Sequence, residues 1–263
     1  MGAGTAGVRG RPQEIEREDP RGDPDGLAGR ARLVAAFKDP APADSRFDRL
    51  RAANREAWDA YVAHAFVRQL GAGTLPEPAF KFYLIQDYLF LVQFARAYAL
   101  AAYKSDTLDD MRQAARSMRI IVDDEMSLHV KFCAGWGLGL EDMLRVPEAP
   151  QCMAYTRFVL EAGHAGDILD LQAALAPCVV GYAEIANRLM ADPATRLDGN
   201  PYRAWIEAYA GSDYQGVAAA AVAQLDRLYA RRAGQGRDAA LARLFGAATR
   251  LEADFWQMGL DAA

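Results

Sequence analysis

Alanine and leucine recur at helical spacing through residues 45–263, and this pattern constrains the fold more than any other feature of the chain. Side chains three and four positions apart share one face of a helix, whereas strict alternation is typical of strands. The pattern contains no convincing alternating segment and no Asn-Gly hairpin signal. Breaks rich in glycine and proline divide it into segments. The sequence therefore predicts an all-α, single-domain bundle of seven to eight helices.

Residues 1–44 have a different composition from the rest of the chain. They hold five of the twelve prolines and seven of the glycines, mixed with charged residues. Such a segment buries little apolar surface, so we predict a flexible extension. Within it, Leu27–Phe37 could form a short amphipathic helix. The remainder, residues 45–263, is predicted to be one helical domain.

The net charge of −5 and the absence of a clustered basic run argue against a nucleic-acid-binding surface. We therefore expect a small-molecule ligand. The three cysteines, Cys133, Cys152 and Cys178, form no CxxC pair and no zinc-type spacing, which favours free thiols in a reducing compartment.

The N-terminus lacks the continuous apolar stretch of a signal peptide. The longest uncharged apolar run near Cys178, from Ala173 to Ala183, is too short to span a bilayer. The sequence thus predicts a cytoplasmic protein that does not bind membranes.

Aromatic residues form a stripe with a carboxylate at its centre on the predicted helix over residues 77–104. Steps of three and four residues place Asp87 among them on the core-facing side. A buried carboxylate is costly unless it is paired or hydrogen-bonded. Arg112, Arg116 or Arg119 on the following helix could supply that partner, and a bound ligand is the alternative.

The last predicted helix carries a second acid in a similar stripe. Glu252 lies between Phe245 and Phe255 at steps of three and four residues. Leu251 and Trp256 define a neighbouring apolar strip, so Glu252 could also lie at a solvated boundary. Two acids in stripes on separate helices raise the expectation of a shared pocket.

A third helix contains a proline followed directly by a cysteine. Pro177 lacks an N–H and its ring crowds the preceding turn, so we expect a kink there. Such a kink would let Cys178 point into a cavity, although free cysteines often act as small buried hydrophobes. Tyr182 lies one turn later on the same face. No basic residue lies one turn from the thiol, so its activation would have to come from another helix.

Glu125 and His129 are spaced i, i+4 and could bind a metal together. A helical di-iron site requires several glutamates and histidines on facing helices, and this chain has three histidines in total. We therefore predict no metal site. Capping or core-satisfying roles suit Glu125 and His129 better.

Six ordered motifs of the chain resemble the TenA family, also called thiaminase II, which has a haem-oxygenase-like helical fold. The resemblance extends over almost all of the predicted domain. The motifs, in chain order, are HAFVRQLGAGTLP, FKFYLIQDYLF, DDEMSLH, LAPCVVGYAEI, YRAWIEAYAGSDY and EADFWQMG.

The resemblance implies catalytic roles for five residues. Asp87 would hold the aminopyrimidine ring of the substrate, and Cys178 would be the nucleophile. Tyr182 would be a hydrogen-bonding partner close to the thiol, and Tyr155 would help to orient the thiol and a carboxylate. Glu252 would move protons at the leaving group and at the incoming water.

The resemblance also implies that Tyr209, Phe90 and Phe255 line the substrate ring, together with Asp87 and the two catalytic tyrosines. Phe90 stands where some relatives carry tyrosine, so a phenol hydrogen bond is absent while ring stacking is kept.

The activity implied is hydrolysis of 4-amino-5-aminomethyl-2-methylpyrimidine to the 5-hydroxymethyl compound with release of ammonia, and cleavage of thiamin as a second reaction. The family resemblance further implies a homotetramer without metal or organic cofactor. Two alternatives remain open. One is an oxidase or metal-dependent enzyme of the same fold, which Glu125 and His129 in the cavity would favour. The other is a non-catalytic pyrimidine-binding protein.

Overall fold

A computed structural model describes residues 45–263, in which every regular element is helical. The helices are α1 (Arg46–Ala53), α2 (Arg55–Val62), α3 (Ala65–Ala72), α4 (Glu77–Lys104), α5 (Leu108–Arg119), a π-helical turn (Ile120–Glu125), α6 (Met126–Gly135), α7 (Leu140–Arg145), α8 (Pro150–Ala165), α9 (Ile168–Ala191), α10 (Arg203–Ala210), α11 (Ser212–Arg232) and α12 (Arg237–Asp261). The all-α prediction is confirmed. The segments outnumber the predicted seven to eight because helices of only six to eight residues lie between the long ones. The predictions for residues 1–44, including a helix at Leu27–Phe37, lie outside the described residues.

Side-chain caps set where two of the helices begin. The Thr107 hydroxyl accepts a hydrogen bond from the backbone N–H of Asp110 at the start of α5. The Asp167 carboxylate accepts from the N–H groups of Leu169 and Asp170 at the start of α9. Each cap satisfies donors that have no partner within the helix. The second cap therefore helps to fix the position of Cys178 along α9.

Helices α4, α8, α9 and α12 pack against one another and enclose the core. Helices α10 and α11 cover α9, while α5 and the π-helical turn pack on α4. Trp58, Tyr61, Phe66 and Trp256 are almost completely buried in this core. The rings of Phe66 and Trp256 stack with their centroids 4.9 Å apart. Burying each such ring contributes about 2–3 kcal/mol, so packing of aromatic side chains holds the long helices together.

Helix α9 is long and apolar enough to cross a membrane by length and composition alone. However, 83% of its apolar window is buried inside the fold. Packing against α8, α11 and α12 therefore accounts for its apolar character.

Helix α9 continues through Pro177 without a break in its helical assignment, and the kink expected there remains a prediction. The Tyr61 hydroxyl donates to the carbonyl oxygen of Pro177 over 3.5 Å. One turn later, a Cβ atom built on Gly181 would lie 2.3 Å from Cε1 of the Tyr61 ring. Only glycine allows this ring to pack against the helix, next to the turn that carries Cys178.

Replacing Gly181 with alanine is expected to lower the free energy of unfolding by about 1–3 kcal/mol, since the fully buried Tyr61 ring must move. Urea unfolding measures this change. Gly216→Ala on α11 is the matched control, because a Cβ there would meet no heavy atom within 4 Å. The control should raise stability by about 0.5–1 kcal/mol. Equal effects at the two glycines would contradict the packing argument.

Candidate active site

Asp87 lies midway along α4, with 5% of its surface exposed. Its Oδ2 atom accepts a hydrogen bond from the Tyr83 hydroxyl at 3.1 Å and faces Nε2 of His129 at 2.6 Å. Trp205 Nε1 in turn donates to the Tyr83 hydroxyl at 3.2 Å. The carboxylate is therefore buried with an imidazole and a phenol as partners, which meets the requirement for pairing a buried charge.

Of the alternatives left open for Asp87, pairing with an arginine of the following helix is not found in the described residues. Arg112 pairs with Asp109 and Arg119 lies near Asp123, both on the outer surface. Neither of these arginines, nor Arg116, is an ion-pair partner of Asp87 in residues 45–263. A planar imidazole from α6 takes that place, because the π-helical turn after α5 leads the chain back against α4.

Both ring nitrogens of His129 face oxygen acceptors. Nδ1 lies 3.0 Å from the backbone carbonyl oxygen of Glu125, and Nε2 faces the Asp87 carboxylate. A neutral imidazole carries one N–H, so two acceptors favour the doubly protonated, cationic ring. Burial alone would lower the pKa of His129, but the charge and hydrogen bond of Asp87 outweigh it and raise that pKa. The core-satisfying role expected for His129 is thus the pairing of a candidate site acid.

Cys178 and Glu252 meet between α9 and α12. The Cys178 side chain is half-buried, and the Glu252 carboxyl group, which is 2% exposed, lies close enough for its charge to act on the thiol. The Tyr155 hydroxyl donates to Oε1 of Glu252 at 2.8 Å. Glu252 is therefore fully buried, and the alternative of a solvated boundary position is excluded.

Burial raises the pKa of the Cys178 thiol well above its ordinary value, and the charges of Glu252, Glu125 and Asp87 raise it further. Burial also raises the pKa of Glu252 to about 8, against the opposing hydrogen bonds from Tyr155 and Cys178. The resting thiol is consequently protonated. A thiolate forms only when its proton is transferred, and Glu252, whose charge acts on the thiol, is the candidate acceptor.

Tyr182 was expected to hydrogen-bond close to the Cys178 thiol, but its hydroxyl makes a different contact. Its hydroxyl lies 3.4 Å from the Tyr83 hydroxyl, which connects it to Asp87 rather than to the thiol. Its ring packs on Tyr209, with centroids 5.0 Å apart, and on Trp256 at 5.3 Å. Tyr182 thus joins the acid of α4 to the wall formed by α10.

The predicted aromatic lining divides into two groups. Phe90 contacts the rings of Tyr155 and Phe255, with centroids 5.0 and 5.7 Å apart. Tyr209 packs instead on Tyr182 and on Trp205. The structure therefore brings Phe90 and Phe255 to the Tyr155–Glu252 side and Tyr209 to the Tyr182 side. Their roles toward a substrate remain predictions.

Glu125, the last residue of the π-helical turn, belongs to the same site. Its Oε1 atom lies 3.5 Å from the Tyr209 hydroxyl, which donates to it. Burial raises the pKa of Glu125 to about 7; His129 and the Tyr209 bond lower it, while the charge of Asp87 raises it. Its i, i+4 spacing from His129 is the sequence feature that could have identified Glu125 as a residue of the site.

His129 and Glu125 lie beside Asp87 and Tyr209, a placement that would favour the metal-dependent alternative. However, His129 is held by Asp87 and by the backbone oxygen of Glu125, while the Glu125 carboxylate faces Tyr209. Across residues 45–263 no three histidine, cysteine or acidic side chains group in a way that could hold a metal ion. Both side chains are thus engaged in hydrogen bonds to protein groups.

Comparisons with known proteins agree with this arrangement. The sequence model of the TENA/THI-4/PQQC family matches residues 51–262. An aminopyrimidine aminohydrolase from Halalkalibacterium halodurans is 32% identical over 204 residues, covering 78% of this chain and 90% of that protein. A solved structure from Silicibacter sp. TM1040, described as a TenA family transcription regulator, is 47% identical with a TM-score of 0.79, covering 83% of this chain and 98% of that one.

A domain of unknown function from Shewanella denitrificans, described as having a heme oxygenase-like fold, superposes with a TM-score of 0.64 at 12% identity. It covers 82% of this chain and 92% of its own. At that identity the likeness concerns the fold alone, and it confirms the haem-oxygenase-like architecture. The family match extends over nearly all the described residues and confirms the resemblance drawn from the six motifs. This chain belongs to the TENA/THI-4/PQQC family.

Proposed function

We propose that the protein hydrolyses 4-amino-5-aminomethyl-2-methylpyrimidine to the 5-hydroxymethyl pyrimidine and ammonia, using Cys178 as the nucleophile. The observation that carries the proposal is that α9 places Cys178 one turn before Tyr182, whose hydroxyl is linked to Asp87 through Tyr83, while the buried Glu252 of α12 lies close enough for its charge to act on the thiol. The 32% identical relative named aminopyrimidine aminohydrolase supports the substrate class.

Asp87 would bind the edge of the ring formed by a ring nitrogen and the neighbouring amino group. A carboxylate matches that pair of donors when the ring nitrogen carries a proton. A protonated ring accepts electrons more readily, which prepares it for attack by a thiolate. His129 and Tyr83 hold the carboxylate in place for this task.

The reaction begins when Glu252, in its ionised form, takes the thiol proton of Cys178. The thiolate adds to ring carbon C6, next to C5, and the electron pair moves into the ring toward the nitrogen held by Asp87. That pair then returns and expels the protonated amino group from the methylene carbon on C5 as neutral ammonia, which takes the proton that Glu252 received from the thiol.

Water adds next to the exocyclic methylene carbon and gives its proton to Glu252. The sulfur–carbon bond breaks, the aromatic ring is restored, and the thiolate regains a proton from Glu252. One difficult displacement at carbon thus becomes a series of easier additions and eliminations. Tyr155 orients Glu252 throughout through its 2.8 Å hydrogen bond.

Cleavage of thiamin is a second reaction that the same steps allow, since its thiazolium ring is also bound through the methylene group on C5. We also propose that the protein acts in the cytoplasm as a homotetramer. The free thiols support the first statement. Exposed apolar side chains such as Tyr103 and Leu108, which are 84% and 58% exposed in the single chain, support the second.

A mass-spectrometric product assay tests the proposed reaction. The purified protein is offered 4-amino-5-aminomethyl-2-methylpyrimidine and thiamin in separate reactions. We expect the hydroxymethyl pyrimidine from the first compound, and the ratio of the two rates identifies the preferred leaving group. If a folded protein is thermally stabilised by these compounds but releases no product, it is a pyrimidine-binding protein and not a hydrolase.

A further inference from the structure

The candidate site contains more acidic side chains than cationic ones. Three carboxyl groups, those of Asp87, Glu125 and Glu252, act on the Cys178 thiol. The cationic partner among the described residues around them is His129, which pairs with Asp87. The Glu125 and Glu252 carboxyl groups accept hydrogen bonds from phenols instead, although the charge of His129 also lowers the pKa of Glu125. A buried carboxyl group without a cationic partner is costly to ionise, so a positively charged ligand would stabilise this site.

Glu125 lies at the end of the π-helical turn, on the side of the site formed by Tyr209. Its backbone oxygen holds His129, and its carboxylate accepts from Tyr209, which packs on Tyr182. The side chain is only partly buried, although the rings of the tyrosines around it are. Its Oε1 atom is oriented by the Tyr209 phenol, and a carboxylate has further acceptor capacity for a ligand.

The chemistry of the proposed substrate places a charge near this position. On the pyrimidine ring, C5 lies between C4, which carries the amino group, and C6, which the thiolate attacks. If Asp87 holds the amino edge and Cys178 lies at C6, the substituent on C5 lies between these two residues. Glu125 reaches this part of the site through Tyr209, whose ring packs on Tyr182, one turn after Cys178 on α9.

We infer that the Glu125 carboxylate binds the positively charged substituent on C5 of the substrate and so selects cationic pyrimidines. This inference rests on the proposed function. The protonated aminomethyl group would form a charge-assisted hydrogen bond with Glu125. When the carbon–nitrogen bond breaks, its electron pair leaves with neutral ammonia, which then takes the proton that Glu252 received from the thiol. Glu125 thus holds the charge, while Glu252 moves the protons.

Binding measurements without turnover test the role of Glu125. Isothermal titration calorimetry compares Cys178→Ala with the double variant Cys178→Ala/Glu125→Gln. The ligands are 4-amino-5-aminomethyl-2-methylpyrimidine and 4-amino-2,5-dimethylpyrimidine, which has an uncharged methyl group on C5. We expect Glu125→Gln to weaken binding of the aminomethyl compound by about tenfold or more and to change binding of the dimethyl compound by less than about twofold.

The matched control is Asp124→Asn in the same Cys178→Ala background, since Asp124 is the exposed neighbour of Glu125 on the π-helical turn. It removes the same formal charge and should leave both affinities unchanged. Glutamine keeps the size of glutamate and an acceptor for Tyr209, and thermal unfolding confirms that each variant is folded. Equal weakening of both ligands, or of neither, would overturn the inference and leave the proposed function intact. If Cys178→Ala itself binds neither pyrimidine, the proposed function fails first.

Discussion

Replacing Cys178 with alanine is expected to lower kcat for the aminomethyl pyrimidine by about a thousandfold or more, because no other group in contact with Glu252 can form the covalent bond to C6. Binding should survive, since Asp87 and the aromatic walls are untouched. The expected signature is therefore a loss confined to kcat, with little change in the affinity for substrate. Steady-state kinetics and calorimetry together separate the two quantities.

The other two thiols provide matched controls. Cys133 and Cys152 are fully buried, and Cys152 donates to the backbone oxygen of Gln86 over 3.5 Å. Alanine at either position removes packing and should cost about 1–2 kcal/mol of stability, but kcat should stay within about threefold of the wild-type value. A Cys178→Ala variant that retains wild-type kcat would eliminate the covalent mechanism. It would leave a direct displacement by water in its place.

Replacing Glu252 with glutamine should abolish turnover and yet stabilise the free protein at alkaline pH. The folded-state pKa of Glu252 is about 8, above its ordinary value of 4.5. A raised pKa means that the folded protein holds this proton more tightly than the unfolded chain. The stability that Glu252 contributes is thus present below about pH 4.5 and lost as the pH rises through about 8. Ionising this buried group costs on the order of 5 kcal/mol.

Glutamine does not titrate, so the variant escapes this loss while Tyr155 keeps an acceptor. We expect its melting temperature to exceed that of the wild type at pH 9 and the difference to shrink at pH 5. Glu161→Gln on the exposed face of α8 is the control and should change neither stability nor kcat. A Glu252→Gln variant that is less stable than the wild type at pH 9 would show that the ionised carboxylate is stabilised in the free site.

Much of this site could be predicted from single helices. The stripes of α4 and α12 singled out Asp87 and Glu252, because helical periodicity decides which side chains face the core, although a solvated boundary position for Glu252 was left open. Pro177 drew attention to Cys178, the residue that follows it in α9. These are statements about one helix at a time. The spacing of residues within a single helix was therefore enough to predict them.

The partners of these residues could not be predicted in this way. Asp87 pairs with His129, 42 positions away, instead of with an arginine of the next helix. Glu125 was assigned a capping or core role, and no periodic pattern shows that a π-helical turn brings it to the phenol of Tyr209. Tyr182 was expected beside the thiol, whereas its hydroxyl contacts Tyr83. Each of these contacts joins two different helices.

The sequence by itself therefore determined the helical class, the family and the buried face of each long helix. The tertiary structure decided which groups meet: the thiol with Glu252, and Asp87 with an imidazole. The physical reason is that hydrogen bonds four residues apart and apolar spacing define a helix and its buried face locally. The identity of the side chain opposite depends instead on how separate helices pack, and that packing depends on shape and volume summed over the whole core.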